Sequence, residues 1–150
     1  MIDPLQHILA VPLATALTLA APLGAQAIDF GSDIGEWALD EECDDRRFVG
    51  PGMASVLTWD YVGEDATDCR AAYDAGQLRL WDIQAARAAT ICEAIDFGDD
   101  GGAYPQDGEC DDMRFEGPAV ALQLVPDNIG GDASDCARLC AYGIIALRDY

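Results

Sequence analysis

The chain has 150 residues and a formal net charge of −20, from 28 acidic residues against 8 basic ones. Such a surface repels nucleic-acid phosphates and anionic membranes, and attracts divalent cations and basic proteins. Every basic residue is Arg and the single His is His7, which excludes Ser-His-Asp and Cys-His nucleophiles, His-bearing zinc sites and Lys Schiff bases from everything beyond the N-terminal stretch.

Residues 1–27 read as a signal peptide. Ile8 to Leu23 is largely apolar, broken by Pro12 and Pro22, and Ala25-Gln26-Ala27 places small residues at the −3 and −1 positions of a cut after Ala27. The run is short and proline-broken for a membrane span, so a secreted or periplasmic product without stable membrane insertion is expected. The stretch before it carries Asp3 and no Lys or Arg, a departure from the usual basic start.

Beyond the leader the chain repeats. Ile28 to Trp81 aligns without gaps on Ile95 to Arg148 at a constant offset of 67 residues, with about 25 identities. The shared elements are IDFG, D-x-E-C-D-D, R-F-x-G-P and D-A-[TS]-D-C, followed by Gly76 or Gly143. Two acidic modules, 28–81 and 95–150, are therefore expected, separated by 82–94. Each is small enough that disulfides, a metal or packing between copies must supplement its core.

In chain order, Ile28-Asp29-Phe30 predicts a short strand, the acidic stretch a loop, Arg47-Phe48-Val49 a strand ended by Gly50-Pro51, and Ala54 to Thr58 another strand. Ala66 to Ala75 predicts a helix capped by Asp65 and stopped by Gly76. Gln77 to Trp81 closes the module as a strand. Asp82 to Ala94 predicts a linking helix capped by Asp82, with Ile83, Ala86 and Ile91 on its apolar side. In the second copy Ala133 to Tyr142 is helical and Ile144 to Leu147 extended. Phe30, Phe48, Phe97 and Phe115 are core positions. The fold class is α+β: two tandem disulfide-stapled modules, each of short strands and one short helix, joined by a helix.

All six Cys follow the expected cut, and their even number points to disulfides in an oxidising compartment. Cys43 and Cys69 recur as Cys110 and Cys136, so Cys43–Cys69 and Cys110–Cys136 are the economical pairs, leaving Cys92 to join Cys140. Each bridge contributes roughly 3 kcal/mol in the chain-entropy picture. The spacings lack the C-x2-C knuckles of a structural zinc site.

The D-x-E-C-D-D clusters are the candidate metal residues: Asp40, Glu42, Asp44 and Asp45 in the first copy, Asp107, Glu109, Asp111 and Asp112 in the second. Carboxylates at alternate positions resemble the oxygen spacing of calcium loops, although the Gly and closing Glu of an EF-hand are absent. Four like charges within six residues repel, and a shared cation would relieve them. The opposing reading is a solvated surface with Arg47 or Arg114 as ordinary counter-ions. Asp65, Asp68, Asp132 and Asp135 read as helix caps and first-turn acids. Trp37 and Tyr104, at matching places, are expected to pack over the loops or, on the other reading, to line a recognition surface.

Phe97 to Pro118 (FGDDGGAYPQDGECDDMRFEGP) and Phe30 to Pro51 (FGSDIGEWALDEECDDRRFVGP) resemble a repeat of the form FGDDSGEWANDGECDDPRFEG found in exported proteobacterial proteins, sometimes appended to protease-like domains. The resemblance covers both modules and implies export without implying an activity. Leu39-Asp40-Glu41 replaces the repeat's Asn-Asp-Gly, and Arg46 and Met113 replace its Pro, which places the first loop's turn in question. The sequence thus leads to a non-enzymatic exported protein with calcium as its cation. The alternative is a metal-independent acidic module that docks a basic or protease-like extracytoplasmic partner. A carboxylate-pair hydrolase lacks any accompanying motif.

Overall fold

The computed structural model describes residues 27–150, and the expected leader lies outside the described residues except for Ala27. Module 1 contains β1 (Cys43–Asp45), β2 (Phe48–Val49), β3 (Met53–Thr58), α1 (Ala66–Asp74) and β4 (Arg79–Leu80). A linking helix, α2 (Ile83–Ala89), leads to module 2, with β5 (Cys110–Asp112), β6 (Phe115–Glu116), β7 (Val120–Val125), α3 (Ala133–Ala141) and β8 (Ala146–Leu147). Corresponding elements keep the repeat's offset residue for residue. The α+β class with one helix per module and a joining helix is what the structure shows.

The modules are fused by hydrogen bonding. One four-stranded sheet runs β1-β3-β7-β5, with β1 parallel to β3, β3 antiparallel to β7, and β7 parallel to β5. At its centre Leu57 pairs with Leu124, its own counterpart in the repeat, so an approximate two-fold axis passes through that pair. Both leucines are buried, and Leu57 packs in the core of module 2. Two-stranded ladders β2-β4 and β6-β8 complete the modules.

Two strand assignments are corrected. Ile28 to Phe30 forms no strand: Asp29 Oδ1 accepts from the Gly31 amide at 3.0 Å, and Gly31 turns left-handed with φ 81°. The turn lets two backbones cross so closely that a Cβ on Gly31 would stand 1.9 Å from the Gly63 carbonyl oxygen, and one on Gly98 2.1 Å from that of Gly130. Phe30 nonetheless enters the core and stacks on Phe48 with ring centroids 5.4 Å apart, as Phe97 does on Phe115 at 5.5 Å. The second correction is that Cys43–Asp45 and Cys110–Asp112, read as loop, are buried strands.

The pairs Cys43–Cys69, Cys110–Cys136 and Cys92–Cys140 are bonded, the pairing drawn from the duplication. In module 1 the counterpart of Cys140 is Tyr73, which packs edge-on against Phe30 and Phe48, so an aromatic contact stands where module 2 has its extra staple. The linking helix is shorter than expected. Asp82 Oδ1 caps it through the Gln84 and Ala85 amides at 2.8 and 3.0 Å. The helix stops at Thr90, whose hydroxyl bonds back to the Ala86 carbonyl at 2.8 Å and accepts from the Leu147 amide at 3.0 Å. Of its expected apolar side Ala86 is fully buried and Ile83 half-buried, while Ile91 is exposed.

The module interface breaks its own symmetry at a buried charge cluster. Arg46 is fully buried; its Nε and Nη2 donate to the two Glu116 oxygens at 3.1 and 3.0 Å, and its Nη1 to the Ala121 and Leu122 carbonyls at 3.0 and 2.9 Å. Arg148 donates to the same carboxylate and to the Arg46 and Phe48 carbonyls. The repeat counterparts of Arg46, Glu116 and Arg148 are Met113, Val49 and Trp81, so the charges occupy one half of a two-fold arrangement.

Candidate cation site

The site begins at the helix starts. Asp65 and Asp132 occupy the N-cap positions of α1 and α3, yet neither side chain makes a cap hydrogen bond. Asp33 and Asp100 do that work from the preceding loop. Asp33 accepts from the Thr67 amide and hydroxyl, both at 2.7 Å, and Asp100 from the Ser134 amide at 2.8 Å and hydroxyl at 2.6 Å. These bonds hold the carboxyls of Asp33 and Asp100 below their usual pKa.

Released from capping, Asp65 and Asp132 turn inward. Asp65 Oδ2 accepts from the Asp44 amide and Asp132 Oδ2 from the Asp111 amide, both at 3.0 Å. Asp44, Asp65, Asp111 and Asp132 are all buried, between 1 % and 6 % exposed. Each keeps one buried oxygen with no hydrogen-bond partner: Asp44 Oδ2, Asp65 Oδ1, Asp111 Oδ2 and Asp132 Oδ1. A buried carboxylate oxygen without a partner is costly, and here the same pair of orphans occurs in both copies.

The electrostatics agree. Burial, reinforced by Asp40, Asp65, Glu42 and Asp68, pushes the Asp44 carboxyl up to about 7. Burial, with Asp107, Asp132, Glu109 and Asp135, pushes Asp111 up to about 6. Asp65 and Asp132 are raised as well, mainly by burial and partly offset by the amides they accept. Asp40, Glu42, Asp107 and Glu109 are exposed. Asp68 accepts from the Glu41 amide at 3.1 Å, and Asp135 from the Gly108 amide at 2.8 Å while pairing with Arg138.

Two of the eight sequence candidates are committed elsewhere. Asp45 is buried against Arg47 Nε, at 3.0 and 2.9 Å from its two oxygens, and accepts from the Gly63 amide at 2.8 Å. Asp112 repeats the arrangement with Arg114 and the Gly130 amide. These are satisfied ion pairs pinning the strand to the following turn. Asp65 and Asp132 take their place beside Asp44 and Asp111. The signal for them is present in the sequence: Asp44 follows Cys43 and Asp65 lies one helical turn before Cys69, so the bridge between those Cys draws the two carboxylates together. The nearby sulfurs, bonded to one another, offer no thiolate.

The loops above the carboxylates share one backbone path. Leu39 and Glu41 hold φ of 71° and 78°, and their counterparts Gln106 and Gly108 hold 62° and 101°. The changed residues of the first loop therefore leave its turn intact. Trp37 and Tyr104 are 51 % and 59 % exposed, against the expectation of packing, and Trp37 Nε1 donates to the Tyr61 hydroxyl at 3.2 Å.

Fold and site together define a class: a tandem pair of disulfide-stapled α+β modules sharing one sheet, each with a buried, unsatisfied aspartate pair beneath an acidic loop. No family model, curated protein or solved structure matches the chain.

Proposed function

We propose that the protein is a non-enzymatic, exported protein whose two modules each bind one calcium ion as a structural cation. The observation that carries this reading is the repeated pair of orphaned oxygens, on Asp44 and Asp65 and on Asp111 and Asp132. Hard oxygen donors suit calcium, which takes six to eight oxygens in flexible geometry; among the described residues no three of these carboxylates lie within 4.8 Å of one another, so the exposed loop carboxylates close in as the ion binds. The ligand sets are Asp44 and Asp65 with Asp40 and Glu42, and Asp111 and Asp132 with Asp107 and Glu109. Affinity falls in the range of extracellular modules, about 10⁻⁴ to 10⁻³ M, because water and exposed carboxylates complete each set. Three disulfides support an oxidising, extracytoplasmic setting, and no helix among the described residues is long and apolar enough to cross a membrane.

The test compares unfolding of the oxidised protein in calcium, magnesium and EDTA at constant ionic strength. Calcium at about 100 times its Kd adds about 2.7 kcal/mol per site, a rise of several degrees in Tm that magnesium does not reproduce. Asp111→Asn raises the stability in EDTA, by removing a buried charge beside Asp132, and removes the calcium increment of module 2. Equal melting in calcium, magnesium and EDTA would overturn the reading.

A further inference from the structure

Beside its carboxylate pair, module 1 carries a groove with an aromatic wall. Its volume is about 530 Å³, within the size of a ligand-binding cleft. Its lining spans both modules and includes two apolar side chains, Val56 of β3 and Leu122 of β7, exposed at 37 % and 58 %, beside the polar Ser55, Thr58 and Gln123. One wall is the hydrogen-bonded pair of Trp37 and Tyr61. Asp40, Glu42 and Asp60 line the rest, and Asp44, itself buried, presents there with one oxygen unpartnered. In module 2 the counterpart of Tyr61 is Asn128, and that of the neighbouring Trp59 is Pro126, so the aromatic wall cannot be built twice.

The protein's own arginines show what such a wall holds. Guanidinium groups of Arg46, Arg47, Arg70, Arg79 and Arg114 lie over the rings of Trp59, Phe48, Phe30, Tyr150 and Phe115, at 4.1 to 5.9 Å from the ring centroids. Among the described residues none lies over Trp37 or Tyr61, although these rings stand beside four carboxylates. A planar guanidinium stacks on an indole while its edge donates to carboxylates, which an ammonium does less well.

We propose that this groove docks an arginine-bearing basic segment of another protein, the Arg side chain lying against Trp37 and Tyr61 and donating to Asp40, Glu42 and Asp60. The partner's chemistry is fixed by charge complementarity and by the flat aromatic wall; Val56 and Leu122 cover the apolar stem of the side chain. The inference does not rest on calcium binding; Asp40 and Glu42 also belong to the proposed calcium set of module 1, so the two ligands compete there, and the test runs in EDTA.

The probe is the peptide acetyl-Gly-Arg-Gly-Arg-Gly-amide, with the citrulline peptide as its neutral isostere. Indole N–H resonances of the full protein are followed by NMR at about 0.15 M ionic strength, where long-range attraction is largely screened. The Trp37 resonance shifts saturably with the Arg peptide, and the citrulline peptide binds at least about tenfold more weakly. Trp37→Ala and, separately, Asp60→Asn each weaken binding by about tenfold, while Tyr104→Ala leaves it unchanged. Equal responses to the two peptides, unchanged binding by both variants, or no saturable Trp37 shift at millimolar peptide would each overturn the proposal.

Discussion

Leu39 and Glu41 hold left-handed backbone that L side chains rarely adopt, whereas module 2 meets the second position with Gly108. A residue with a Cβ pays for that conformation with about 1 kcal/mol. The path is kept because the amide at the second position is anchored from the helix, by Asp68 in module 1 and by Asp135 in module 2. Glu41→Gly therefore stabilises the protein by about 1 kcal/mol in urea unfolding, and Gly108→Glu costs a similar amount. The loop is legible in the sequence as an Asp-Gly turn only in the second copy. In the first, tertiary anchoring overrides local turn chemistry, and that anchoring is invisible until Asp68 is known to face the loop.

At the scale of elements, α1 and α3 were readable from an Asp at the N-cap position and a Gly stop, although the capping bonds come from Asp33 and Asp100, while the strand carrying Asp44 was not. A three-residue acidic stretch has no strand signature of its own; β1 and β5 are buried because a disulfide on one side and a parallel neighbour on the other enclose them. Likewise the pairing of β3 with β7 joins segments from different repeats, which periodicity within either segment cannot announce. The Arg46–Glu116–Arg148 cluster belongs to that junction. Removing its carboxylate leaves two guanidinium groups buried without a counter-ion, so Glu116→Gln destabilises by about 3–5 kcal/mol. The repeat itself supplies apolar replacements: the triple variant Arg46→Met, Glu116→Val, Arg148→Trp, which borrows the counterpart residues, recovers most of that loss in denaturant unfolding. Full loss in the triple variant would show that the cluster stabilises in its own right and does not serve mainly to make the two faces of the junction unlike one another.

For the whole molecule, the paired aspartates make stability depend on pH in a direction that tests the proposed cation site. Of the candidate site, the acidic loops were readable from composition, but the inward aspartates were masked by their position as apparent caps. Burial and neighbouring carboxylates push the folded-state carboxyls of Asp44 and Asp111 up to about 7 and about 6, and burial raises those of Asp65 and Asp132. Their unfolded values are those of ordinary carboxyls. Between the two values the native state holds protons that the unfolded chain has released, so the contribution of these groups is fully present below the unfolded pKa and is lost as pH rises through the folded one. Asp33 and Asp100, with lowered values, act oppositely, but their window lies below the ordinary carboxyl range. In EDTA, then, Tm falls from about pH 5 to about pH 8, and replacing Asp44 and Asp111 together by Asn flattens the profile. On the proposed reading calcium competes with those same protons, so its stabilising increment is expected to grow over the same interval and to be smallest at the acid end. Calorimetric scans across that interval, with and without calcium, check both slopes: a flat profile in EDTA would remove the buried aspartates as the source of strain, and an increment independent of pH would remove them as ligands.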